Sequence, residues 1–84
     1  MFEEENLVEK LVPAVREQLE SKETPFVKEI MKGLLQKGTD KDEAEMMIAL
    51  CLADEVNRMF IDKRVFDTAR YKGLLDALPK LPEA

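Results

Sequence analysis

The sequence predicts an all-α fold, specifically a compact antiparallel four-helix bundle with a kinked first helix and a long central third helix, and three observations predict it. Apolar residues recur at three- and four-residue spacing in four separate stretches, the spacing that gathers side chains on one side of a helix. Residues that start or stop helices bound each stretch. Hydrophobic residues make up 45% of the chain and charged residues 37%, with only 3 glycines, which leaves little sequence for long loops or many tight turns. At 84 residues the chain holds one core and not two, so residues 1–84 are read as a single helical domain.

The first helix is expected over about 6–20, where Leu7, Val8, Leu11, Val12, Val15 and Leu19 form the stripe. Pro13 lies off that stripe and has no N–H for the carbonyl of Glu9, so the helix is expected to kink toward solvent or restart there. Thr24 caps a second helix over about 25–37, Pro25 suits its first position, and Phe26, Val27, Ile30, Met31 and Leu34 form its stripe. Gly38 supplies the left-handed residue that ends it.

The third helix, about 41–61, opens with Asp40 and Glu43 at capping-box spacing, in competition with Thr39 and Asp42. Ile48, Ala49, Leu52, Ala53, Val56, Met59 and Phe60 form the arc expected to face the core, with Asp54, Arg58 and Asp62 opposite. Asp67 caps a fourth helix over about 68–78, with Phe66 and Tyr71 disposed as a hydrophobic staple. Pro79 and Pro82 then make 79–84 a tail. Residues 1–23 carry −4, 24–38 carry +2, 39–55 carry −5 and 56–84 carry +2, so sequence neighbours are expected to attract weakly when packed side by side.

The net charge of −5 opposes non-specific attraction to nucleic acid or to an anionic membrane. A single cysteine, Cys51, and a start of Met1-Phe2-Glu3-Glu4-Glu5 in place of a basic-then-apolar leader point to a reducing, cytoplasmic home. The longest apolar run, 46–53, is far short of the ~20 residues that cross a bilayer. Glu3 to Glu5 read as a solvated acidic opening that suits a helix N-terminus.

Histidine is absent, which excludes Ser-His-Asp and Cys-His mechanisms and the commonest transition-metal ligand. Cys51 sits mid-helix near Asp54 and Glu55, which raise a thiol pKa, so it is expected as a small apolar contact residue. Glu43 and Glu45 point to different sides of the helix and do not pair for a metal, and Asp40-Lys41-Asp42 is only a fragment of a calcium loop. Gly33, Gly38 and Gly73 are isolated, so no phosphate loop is present. No catalytic residue, cofactor, metal or small-molecule substrate is therefore expected.

Two surfaces stand out. The third helix has apolar residues beyond the arc its core face needs, and Met47, Leu50 and Cys51, with Asp54 and Arg58 alongside, form a candidate protein interface. A central, surrounded helix explains the same residues equally well. Lys63, Arg64, Arg70 and Lys72, with Tyr71 among them, form a minor basic patch for nucleic acid, diluted by Asp62 and Asp67.

Arg16-Glu17-Gln18-Leu19, Thr24-Pro25, Gly38 through Glu43-Ala44, Phe66-Asp67 and Arg70-Tyr71 occur in an order that resembles a family of small bacterial all-helical domains of unknown function. The resemblance spans most of the chain and implies a helical fold but no reaction. The family's histidines, in its first helix and at the head of its third, are replaced here in the neighbourhoods of Glu9 and Asp42. The expectation is a non-enzymatic module that associates with itself, as a homodimer, or with another protein; regulatory nucleic-acid binding is the alternative.

Overall fold

The structure is a computed structural model that describes residues 4–82, with side chains described from Leu7 onward. Among the described residues there are four helices, in the order α1 (Glu4–Glu20), α2 (Pro25–Gln36), α3 (Lys41–Asp62) and α4 (Thr68–Asp76), and no strand. The all-α, four-helix expectation is thus met. Glu3 of the acidic opening and the last two residues of the tail lie outside the described residues, as do the side chains of Glu4 and Glu5.

α1 runs unbroken through Pro13, so of the two expected outcomes the restart does not occur. Pro13 and Glu9 are both exposed, and the carbonyl that Pro13 leaves without an N–H faces water on that side. Its apolar stripe buries Leu7, Val8 and Val15.

Thr24 precedes α2, but its hydroxyl makes no cap bond and donates instead to the carbonyl of Gln18 at 2.9 Å, tying α2 back to the end of α1. Gly38, at φ 94°, ends α2 as expected. Thr39 N–H donates to the Leu34 carbonyl and Gly38 N–H to the Leu35 carbonyl, both at 3.0 Å, which satisfies the orphan carbonyls of the last turn. At the head of α3 the capping box does not close from Asp40, whose side chain makes no cap bond. Asp42 and Glu43 in that first turn still complement the helix dipole.

Arg16, near the end of α1, reaches Glu45, one turn into α3, so these two long helices run antiparallel. α2 leaves and returns at the same end of that pair and packs against both of its members. The most extensive packing in the molecule is α1 on α3. These two helices come from the two acidic segments, so the expected pairing of oppositely charged neighbours does not set the topology; burial of Val15, Ile48, Ala49 and their neighbours outweighs it.

The core gathers Leu7, Val8 and Val15 from α1, Val27, Met31 and Leu34 from α2, Ala44, Ile48, Ala49, Cys51, Leu52 and Ala53 from α3, and Tyr71, Leu75 and Leu78 from α4 and beyond. Ile48, Ala49, Leu52 and Ala53 face inward as the spacing predicts, and Val56 packs against them half-buried. Phe60 departs from the expected arc and is 66% exposed. α4 ends at Asp76, two residues earlier than expected, though Leu78 is still buried.

Candidate functional site

The α3 residues that spilled beyond one apolar arc are explained by packing on several sides. Cys51 is fully buried and Met47 and Leu50 are half-buried against the core, so the proposed outer surface of Met47, Leu50 and Cys51 is not an open one. This corrects the placing of Cys51 at a surface: α3 touches each of the other three helices. Burial, and secondarily the Asp54 carboxylate, pushes the Cys51 thiol up to about 12, which leaves it protonated and inert at neutral pH. Of the two polar members of that surface, Asp54 accepts from Arg70 at 2.6 Å and Arg58 lies 4.0 Å from Asp62 on the exposed side.

The centre of the structure's electrostatics is Glu55, whose side chain is completely buried. It lies seven residues after Ile48, four after Cys51 and three after Leu52, on the inward side of α3. Four donors saturate its two oxygens. Arg64 grips it with both terminal nitrogens, at 2.7 Å to Oε2 and 2.9 Å to Oε1. The Asp67 backbone N–H donates to Oε2 at 2.7 Å, and Arg70 donates to Oε1 at 3.0 Å. Arg70 uses its other terminal nitrogen on Asp54, and Arg64 also donates to the carbonyl of Val65 at 2.9 Å. The Arg64 hydrogen bonds first, then the Asp67 N–H and the Arg70 bond, hold the Glu55 carboxyl at about 2 against the opposing effect of burial.

The basic patch of Lys63, Arg64, Arg70 and Lys72 is therefore not assembled as a cationic surface. Arg64 and Arg70 turn inward onto Glu55 and Asp54. Lys72 lies over the Phe26 ring at 5.2 Å. Lys63, at φ 53°, is the left-handed residue that ends α3 and sends the next residue, Arg64, back toward Glu55.

Beside this clasp, Asp67 caps α4 as expected, accepting from the Arg70 N–H at 3.1 Å. Phe66 and Tyr71 meet edge to face with ring centroids 5.6 Å apart, which closes the expected staple. Tyr71 is buried and donates from its hydroxyl to Gln18 Oε1 at 2.7 Å; burial raises its pKa. A second buried carboxylate, Glu45, is gripped from the rim by Arg16 through two bonds of 3.2 Å. Together with Leu19, Glu20, Lys41 and Asp42 they line an open cleft of about 380 Å³, in which Arg16 and Glu45 are paired with each other.

Glu55 and Glu45 enter the sequence reading only as carboxylates rejected for a metal and, for Glu55, as a neighbour of Cys51; their burial and their arginine partners are what it missed. Each carries its signal in position: Glu45 stands three residues before Ile48 and four before Ala49, so both acids fall on the apolar side of their helix.

The turn also leaves apolar side chains outside, among the exposed charges of Asp62, Lys63 and Asp67. Ile61 is 67% exposed and Val65 83%, with Phe60 next to Ile61. Among the described residues no three His, Cys, Asp or Glu side chains gather so as to hold a metal ion, and no helix is long and apolar enough to cross a membrane. Comparison of the chain with protein-family models, with curated proteins and with solved structures finds no match in any of the three.

Proposed function

We propose that this chain is a non-enzymatic helical interaction module that docks on another protein surface through the apolar end formed where α3 turns into α4. The observation that supports the reading is the 83% exposure of Val65 on a backbone held on both sides. Arg64 binds the Val65 carbonyl while gripping Glu55, and the Asp67 N–H is fixed to the same carboxylate. A branched apolar side chain on an ordered turn loses little freedom on contact, which favours its use in association. Ile61, four residues earlier and 67% exposed, adds a second apolar side chain at the same end of α3.

The surface lies one helix-end away from the Met47, Leu50 and Cys51 face that periodicity alone singles out, because that face is covered by the neighbouring helices. The test is a photoreactive amino acid placed at Val65 and irradiated in the protein's own cells. An adduct heavier than the free chain, absent when the group sits at exposed Lys28, supports the reading; no adduct from Val65 overturns it.

A further inference from the structure

We infer that the occupant of this apolar end is a second copy of the same chain, paired about a twofold axis. The inference rests on the interaction reading above and names the partner. A twofold contact sets one patch against its own copy, so a rim of a single sign repels itself. Here the flanking charges are Arg58 and Lys63 against Asp62 and Asp67, two of each sign, in a chain whose net charge is −5. Two of these four are already matched in pairs, Asp62 with Arg58 and with Arg64. Copies that repel through the acidic surfaces of α1 and the head of α3 meet here on neutral ground.

Area points the same way. Exposures of 66%, 67% and 83% at Phe60, Ile61 and Val65 correspond to on the order of 400 Å² of apolar surface. A stable homodimer buries about 800 Å² on each side, roughly two thirds of it apolar. The patch therefore supplies most of the apolar share one side of such a contact needs, with the exposed Arg58, Asp62, Lys63 and Asp67 as its polar neighbours.

Sedimentation equilibrium of the full chain tests the inference. The mass is expected to rise toward twice that of one chain within the range of tens of micromolar to about 1 mM. Ile61→Ser with Val65→Ser is expected to weaken the pairing by roughly a hundredfold or more. Both residues are exposed in the single chain, so circular dichroism and urea stability stay unchanged, and Lys28→Ser serves as the control that leaves the mass alone.

A single-chain mass up to about 1 mM overturns the second-copy inference. So does a double mass that survives the double substitution, since the axis then lies elsewhere. The Val65 crosslink separates the two levels of the argument: an adduct at a mass other than twice the chain keeps the interaction reading and removes the second copy, whereas the absence of any adduct removes both.

Discussion

Glu55 and Arg64 form a two-pronged ion pair, with oxygen-to-nitrogen distances of 2.7 and 2.9 Å, between a carboxylate wholly removed from water and a guanidinium still 28% exposed. Nine residues apart in sequence, they stand on opposite sides of the point where α3 reverses into α4. The pairing makes one helix end and the next helix start into a single unit.

Replacing Glu55 by Gln leaves two inward-turned arginines facing an uncharged amide. Loss of one member of a buried pair costs about 3 to 5 kcal/mol, and the part-exposed guanidinia recover some of this through water. Glu55→Gln is therefore expected to lower the free energy of unfolding by about 2 to 3 kcal/mol in a urea titration. Arg58→Ala serves as the comparison: it and its partner Asp62 are both about half exposed and 4.0 Å apart, and a much smaller loss is expected.

Acid acts on the same carboxylate. Glu55 titrates at about 2 in the folded protein, against 4.5 for an unperturbed glutamate, so it binds a proton more weakly when folded. Its contribution is present above the unfolded value and is lost as pH falls through the folded one. Stability of the wild type is expected to drop by about 2 kcal/mol between pH 5 and pH 2 through this group, after allowance for screening at the exposed arginines. Urea titrations at pH 6, 4, 3 and 2 check it. The pH dependence of Glu55→Gln should be flatter by that amount.

Two backbone positions offer stability. Lys63 occupies the left-handed region at φ 53°, where glycine is free of the strain a side chain brings, and its side chain is exposed. Lys63→Gly is expected to stabilise by about 0.5 to 1 kcal/mol, the relief exceeding glycine's entropy in the unfolded chain. Gly33 sits inside α2 with nothing within 4 Å of where a Cβ would lie. Gly33→Ala is expected to add about 1 kcal/mol. Thermal unfolding followed by circular dichroism reads both as a rise in midpoint.

Cys51 should behave as a core residue. Completely buried and with its thiol held at about 12, it is expected to react with a disulfide reagent at pH 8 only as fast as the protein opens, and immediately in 8 M urea. Prompt labelling of the folded protein would show that α3 is not surrounded.

Much of the fold was legible because it depends on local rules. The apolar spacing of Leu7 to Leu19 and of Val27 to Leu34, the stop at Gly38, and the Phe66–Tyr71 staple around Asp67 involve residues a few positions apart. Thr24 and Asp40 stand at the predicted N-cap positions, but neither side chain accepts from its helix; the Thr24 hydroxyl is turned toward the Gln18 carbonyl, to which it donates. The site was harder to see. Periodicity marks which α3 residues are apolar but not how many helices cover them, so Met47, Leu50 and Cys51 read as a surface when they are packed.

Arg64 and Arg70 misled similarly. Their count suggested a cationic patch, while their shared partner is an acid nine residues before Arg64 and fifteen before Arg70, across the turn between α3 and α4. The legible sign was Glu55 itself, a charge standing where the helix wheel of Ile48 and Leu52 calls for an apolar residue. A charge in that place needs partners, and the nearest cations after the turn are Arg64 and Arg70.

The ordering of the α3–α4 turn by Glu55 is tested most directly at the Asp67 amide, whose N–H donates to the buried carboxylate over 2.7 Å. Hydrogen exchange of that amide, resolved by NMR in native buffer, should be slowed to the rate set by opening of the whole domain, and should accelerate by orders of magnitude in Glu55→Gln. Exchange at the rate of an unstructured peptide in the wild type would mean that no clasp exists and that Val65 is not held for a partner.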